Sequence, residues 1–220
     1  MRNILVTGAS GALGSEVVRY FSSGDVRLLA TYTRTPGLIS KHVEWVQWST
    51  TNLVSLNDLT EKLEQFVPLD LWIHLTGGFM SGLTLDNTPP QKFRNMLDLN
   101  LESFSALVPH VIPLNETSHL SVVLIGAEAG INPTKELGAY GVSKAALKYY
   151  MDVLSLEMKD KPVSVNMIVP TIIDTKPNRE SMPDSNYEQW IKPEHICDVI
   201  QFLTSEAGKK INGSVLRLGK

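Results

Sequence analysis

Apolar residues in this chain follow two alternating rhythms. Short, nearly continuous apolar runs stand at Asn3 to Thr7, Val26 to Tyr32, Val43 to Trp48, Leu69 to Leu75, Leu120 to Ile125, Val163 to Val169 and Ser214 to Leu218. Runs of this length, rich in Val, Ile and Leu, predict strands buried on both faces. Between them the apolar residues take a helical period. Ser15 to Ser23 places Val17, Val18 and Phe21 on one face, and Leu56 to Phe66 does the same with Leu56, Leu59, Leu63 and Phe66. Longer periodic segments cover Gln91 to Val111, through Met96, Leu97, Leu101, Phe104, Leu107 and Val108, and Tyr140 to Lys159, through Ala145, Ala146, Tyr149, Val153 and Leu156. Strand followed by helix throughout predicts an α/β fold, a doubly wound parallel sheet of seven strands with helices on both faces.

At 220 residues, without a Pro/Gly/Ser-rich or charged linker, the chain is expected to form one domain over residues 1–220. The formal net charge is -3 and the Lys and Arg residues are scattered, which is not the basic footprint of a nucleic-acid binder. The expected partner is a small molecule. Cys197 is the sole cysteine and cannot close an internal disulfide, while His42, His74, His110, His119 and His195 stand singly, without zinc spacing, so no metal site is expected. The first apolar run stops at Thr7-Gly8, and no segment approaches the roughly 20 apolar residues of a membrane span. The expectation is a cytoplasmic protein with no membrane partner.

Candidate chemistry begins where the first strand ends. In Thr7-Gly8-Ala9-Ser10-Gly11-Ala12-Leu13-Gly14, Gly8, Gly11 and Gly14 recur every third residue at a strand-to-helix turn. There the missing side chains let the backbone approach a pyrophosphate, and the helix N-terminus offers free N–H groups. Ser10, Ala12 and Leu13 belong to the same turn. At the end of the second strand, where an NAD enzyme of this architecture carries an acidic residue, stands Tyr32 within Thr31-Tyr32-Thr33-Arg34-Thr35. The Arg34 guanidinium and the Thr33 hydroxyl suit a 2′-phosphate, which favours NADPH over NADH, with use of both left open.

Tyr140-Gly141-Val142-Ser143-Lys144 opens the last long helix, and a tyrosine and lysine four apart share one helix face. An ammonium there would lower the phenol pKa while reaching a cofactor ribose. With these motifs placed, the whole chain resembles the short-chain dehydrogenase/reductase family and its Rossmann fold. The resemblance implies a role for Leu75-Thr76-Gly77-Gly78 against the adenine side of the cofactor, with Gly77 and Gly78 as contacts. It implies that Asn100 interrupts a helix and holds a water linked to the lysine. It also implies that Pro170, Ile173 and Thr175 contact the nicotinamide, with Thr171 replacing a glycine. Tyr140, Lys144 and Asn100 are then the catalytic residues.

The family serine that polarises a substrate carbonyl lies thirteen residues before the tyrosine, which here is Ala127. Neither Ser121 nor Ser143 is an obvious stand-in. The same departure marks a subgroup that this chain resembles, the quinonoid dihydropteridine reductases. The Gly11-Ala12-Leu13-Gly14-Ser15 turn, the doubled Gly77-Gly78 and the run Ile168 to Pro183 also resemble that subgroup. The implied activity is hydride transfer from NAD(P)H to a pterin or another electron-poor acceptor. A carbonyl or quinone reductase and a non-catalytic NAD(P)-binding redox sensor are the alternatives. Lys176 to Trp190 is expected to form a substrate-side lid, in which Met182, Tyr187 and Trp190 either touch a flat ring or pack the loop. Phe79 and Met80 share that ambiguity. The apolar faces of the two long helical segments predict a homodimer through a four-helix contact.

Overall fold

Residues that alternate strictly in space while staying apolar throughout can be buried only in a sheet covered on both faces. In the computed structural model, which describes residues 1–50 and 53–219, such runs form β1 (Arg2–Thr7), β2 (Val26–Tyr32), β3 (Val43–Gln47), β4 (Leu71–His74), β5 (Leu120–Ile125), β6 (Val163–Pro170) and β7 (Val215–Leu218). They make one seven-stranded sheet in the order β3-β2-β1-β4-β5-β6-β7, with every neighbouring pair parallel. The order reverses direction between β1 and β4, so the carboxyl ends of these two strands flank a crevice.

The helices are α1 (Ala12–Phe21), α2 (Leu53–Glu64), α3 (Pro90–Leu97), α4 (Ser103–Ser105), α5 (Val108–Val111), α6 (Gly138–Glu157), α7 (Lys176–Ser181) and α8 (Pro193–Leu203). Strand period 2 sorts the core into two layers. Leu5, Leu29, Trp72, Val122, Leu124 and Val165 face a cluster with Leu59, Phe104, Leu107, Leu147 and Met151. Ile4, Val6, Leu28, Ala30, Ile73 and Val123 face the other, with Val17, Val18, Ile196, Ile200 and Leu203.

Three elements differ from the sequence expectation. Between β2 and β3 the alternation of strand and helix fails: residues 33–42 form no helix. Pro36-Gly37 breaks any helical period there. A return path of roughly 20 Å, the length of a short strand, lies within the reach of ten extended residues, roughly 33 Å. Gln91 to Val111 is not one helix: α3 runs into a π turn at Asp98–Glu102, then the short α4 and α5. Pro109 and Pro113 each remove a helical N–H and keep the later turns short. Helix α8 lies beyond the segments identified from periodicity. Pro193 at its first turn, Glu194 near its N-terminus, and Ile196, Ile200 and Leu203 on one buried face account for it. Each of those apolar side chains contributes roughly 1.5–3 kcal/mol on burial.

Candidate active site

The glycine turn is held in shape by the neighbouring strand. Thr31, buried at the end of β2, accepts a hydrogen bond from Gly8 N through its hydroxyl (3.0 Å), and its carbonyl accepts from Ala9 N (3.1 Å). Gly8 sits at φ 74°, and a Cβ there would lie 2.5 Å from Thr76 N. Only glycine lets β1 and the loop after β4 meet at this point. Helix α1 follows with Gly11 at its N-cap, no side chain capping it and no acidic residue in its first turn. Its leading N–H groups therefore remain open to an anion.

A groove of about 390 Å³ opens along this turn, lined by Gly8, Ser10, Gly11, Thr33, Arg34 and Gly77 among the residues expected to bind a cofactor. Leu99 and Ser103 line it as well. Among the described residues Arg34 makes no ion pair, while Gln47 Nε2 donates to the Thr33 carbonyl at 2.8 Å and steadies the loop beside it. Thr76 Oγ1, in the same lining, is buried and has no hydrogen-bond partner among the described residues. An uncapped helix start, a free guanidinium and an unsatisfied hydroxyl along one groove fit a dinucleotide.

The other expected cofactor residues lie elsewhere. Ala12 and Thr175 line a second, more open groove between α1 and α7. Leu13 and Ile173 pack against the apolar layer, and Gly14 and Pro170 are buried.

Next to Gly77, the first turns of α6 bring Lys144, with Tyr140 one turn before it, to the end of β5. Lys144 is only 7% exposed, and its Nζ donates to the Ile125 carbonyl at 2.9 Å. Burial pushes its pKa down to about 8. Burial pushes the Tyr140 phenol up to about 12. The expectation that Lys144 lowers the phenol is therefore not met here: burial sets the direction of the Tyr140 shift, and the ammonium is engaged by the Ile125 carbonyl instead. The phenol holds its proton at neutral pH.

Asn100 is fully buried in the π turn, and its amide is completely engaged. Oδ1 accepts from Gly78 N at 3.0 Å, and Nδ2 donates to the Gly78 carbonyl and to Ser143 Oγ, each at 3.0 Å. A Cβ on Gly77 would stand 2.7 Å from Asn100 Oδ1 and 3.4 Å from Lys144 Nζ, so Gly77, Asn100 and Lys144 converge on one point. The π turn is what turns Asn100 inward, as insertions of this kind often do at functional sites.

Neither of the two serines considered as stand-ins replaces the missing serine. Ala127 is half-buried after β5, Ser121 donates to the Leu203 carbonyl (3.4 Å), and Ser143 donates to the Tyr140 carbonyl (2.7 Å). Phe79 stands edge-on to Tyr140 at 5.0 Å between ring centroids and is 67% exposed, leaving an open aromatic face beside the phenol. Tyr187 and Trp190 turn inward: their rings lie 4.8 Å apart, and the Arg179 guanidinium lies 4.7 Å over Tyr187. They pack the lid rather than present a face to substrate.

Periodicity passed over His74 and Ser103. Both are buried; His74 is a polar residue closing the apolar strand β4, which is a signal in the sequence, whereas Ser103, which lines the groove, stands beside Glu102 with none.

Residues 2–186 match the family described as short chain dehydrogenase. A dihydropteridine reductase from Dictyostelium discoideum is 28% identical over 221 residues, covering 98% of this chain and 94% of that protein. Among solved structures, a short chain dehydrogenase from Salmonella enterica serovar Typhi superposes with a TM-score of 0.87 at 18% identity, over 99% of this chain and 96% of that one. One from Escherichia coli CFT073, solved in complex with NADPH, gives 0.84 at 20% identity over 98% and 95%. The glycine turn after β1 and the tyrosine and lysine at the head of α6 thus stand in a shared framework, and the chain belongs to the short chain dehydrogenase/reductase family of oxidoreductases.

Proposed function

We propose that this protein is an NAD(P)H-dependent reductase of the dihydropteridine reductase type, delivering hydride and a proton to a quinonoid dihydropterin to give the tetrahydropterin. The observation that carries the reading is Ala127 at the family serine's place, with Ser121 and Ser143 both donating elsewhere, in a site that keeps Tyr140 and Lys144. A ketone needs a donor at its oxygen for charge to develop there. An acceptor ring that is already electron-poor needs mainly positioning and a proton. Near-full-length similarity to a dihydropteridine reductase supports the same conclusion.

The reduced nicotinamide, when bound, supplies the hydride. The open N–H groups of α1 would hold the pyrophosphate, and Arg34 with Thr33 the 2′-phosphate of NADPH, the preferred form, with NADH as the second donor. Tyr140, protonated at neutral pH, is the proposed acid. Lys144 holds the ribose side of the site, and Asn100 fixes the Gly77-Gly78 backbone against it. The exposed face of Phe79 forms a wall for a flat ring.

On α6, Val142, Tyr149, Val153 and Leu156 leave an apolar stripe exposed, which we read as the face of a homodimer. The compartment proposed is the cytoplasm, where a lone buried cysteine is unremarkable.

The test is oxidation of NADPH and of NADH by the purified protein, with dihydropterin generated in the cuvette and the nonenzymatic rate subtracted. Turnover should fall by about 100-fold or more in Tyr140→Phe. Arg34→Ala should lose about 10-fold in kcat/KM for NADPH and little for NADH. Nucleotide binding without turnover on the pterin would reject this substrate.

A further inference from the structure

Four buried polar side chains behind the groove are not used by the proposed chemistry: Thr7, Trp72, His74 and Ser103. They form one continuous hydrogen-bonded chain. Ser103 Oγ donates to the Leu99 carbonyl at 2.6 Å, which spends its only proton. Its contact with His74 Nε2, at 3.2 Å, is then one in which Ser103 accepts, so Nε2 carries the hydrogen. Burial and the nearby Lys144 charge push the imidazole pKa down to about 3, so the ring is neutral and Nδ1 is bare. Nδ1 accepts from the Thr7 hydroxyl at 2.7 Å, and Thr7 Oγ1 in turn accepts from Trp72 Nε1 at 3.3 Å. Every proton in the chain points one way.

The chain joins the strand that leads into the glycine turn to the far side of the sheet's crevice: Thr7 is followed directly by Gly8, and Gly8, Leu99 and Ser103 all line the groove read as the nucleotide site. We infer that His74 is a positioning residue, a strut whose Nε2–H tautomer ties the glycine turn to the π turn and sets the width of the groove. The inference rests on the reading of that groove as a nucleotide site. An imidazole suits the task because it offers a donor and an acceptor on opposite edges of a rigid ring, which neither an amide nor an apolar side chain of that size provides.

Two measurements test it. Nitrogen NMR of the ligand-free protein should show His74 as a single neutral tautomer protonated at Nε2 from pH 5 to pH 8. A proton on Nδ1, or an imidazolium in that range, overturns the inference without any variant. Titration of NADPH by its fluorescence should then give a Kd about 10-fold weaker in His74→Phe and in Ser103→Ala, with unchanged far-UV dichroism. Ser103→Ala removes a single oxygen and keeps the test available should His74→Phe fail to fold. In that variant His74 should also lose its fixed Nε2–H tautomer, an effect that a residue serving only the core would not show. Wild-type binding with equal Kd in Ser103→Ala defeats the strut, whereas a wild type that binds neither NADPH nor NADH defeats the nucleotide reading itself.

Discussion

Burial moves Tyr140 and Lys144 in opposite directions on the pH scale, and both shifts favour the neutral form. For Lys144 the sign follows from counting protons. Folded and unfolded chains both carry the ammonium below about pH 8, so the cost of burying it is fully present there. Between pH 8 and the ordinary lysine value of 10.5 the unfolded chain holds more protons, and stability gained from this residue rises with pH. Lys144→Met should accordingly be more stable than wild type at pH 7 by up to about 3 kcal/mol, less the bond lost to Ile125. Urea denaturation across pH 7 to 10 should show that gap closing; a constant gap would mean that the ammonium is not desolvated. At Ala127 the expected result is a near-null one. Ala127→Ser should leave pterin turnover within about 2-fold and bring no large gain on ketones, whereas a gain of about 100-fold in ketone reduction would identify a carbonyl site.

At the level of elements, the segment proposed as a lid is closed at its neck and filled by its own side chains. Asp174 N donates to the Ile191 carbonyl at 2.8 Å and Ile191 N to the Ile172 carbonyl at 2.9 Å. Inside, Arg179 Nη2 donates to Asp174 Oδ2 at 2.7 Å, and the Tyr187 hydroxyl donates to the Pro183 carbonyl at 2.8 Å. Because Arg179 is exposed to solvent that screens the pair, its contact with Asp174 adds little to global stability, so its effect should be local. Asp174→Ala is expected to leave the melting temperature nearly unchanged, to expose residues 174–190 to limited proteolysis, and to raise the acceptor KM about 10-fold. Unaltered proteolysis would show that the pair does not hold the lid.

At the level of the whole molecule, the exposed stripe on α6 leads to an association prediction. Tyr149 and Leu156 are each 72% exposed and share one stripe of α6 with the exposed Val142 and Val153, a run of apolar surface rather than a single side chain. The wild type should sediment as a dimer at micromolar concentration, and Tyr149→Lys combined with Leu156→Glu as a monomer; a monomeric wild type removes the proposal. What the amino-acid sequence determined by itself is the set of strands, nearly to the residue, the glycine turn after β1, and the placing of Tyr140 and Lys144 on one helix face. Each of these follows from local periodicity or spacing, in which a residue's burial and its near neighbours are written along the chain. Tertiary structure alone decided the rest. The bare connection from β2 to β3 depended on how far the chain had to return, and the π turn at Asn100 on bonds to Gly78 and Ser143, far away in sequence. The meeting of Thr7, His74 and Ser103 arises because β1 and β4 lie side by side at the point where the sheet reverses its order. Pairings between distant polar groups have no period for a sequence to display, and the shifts of Tyr140 and Lys144 come from surroundings assembled only when the sheet and α6 pack together.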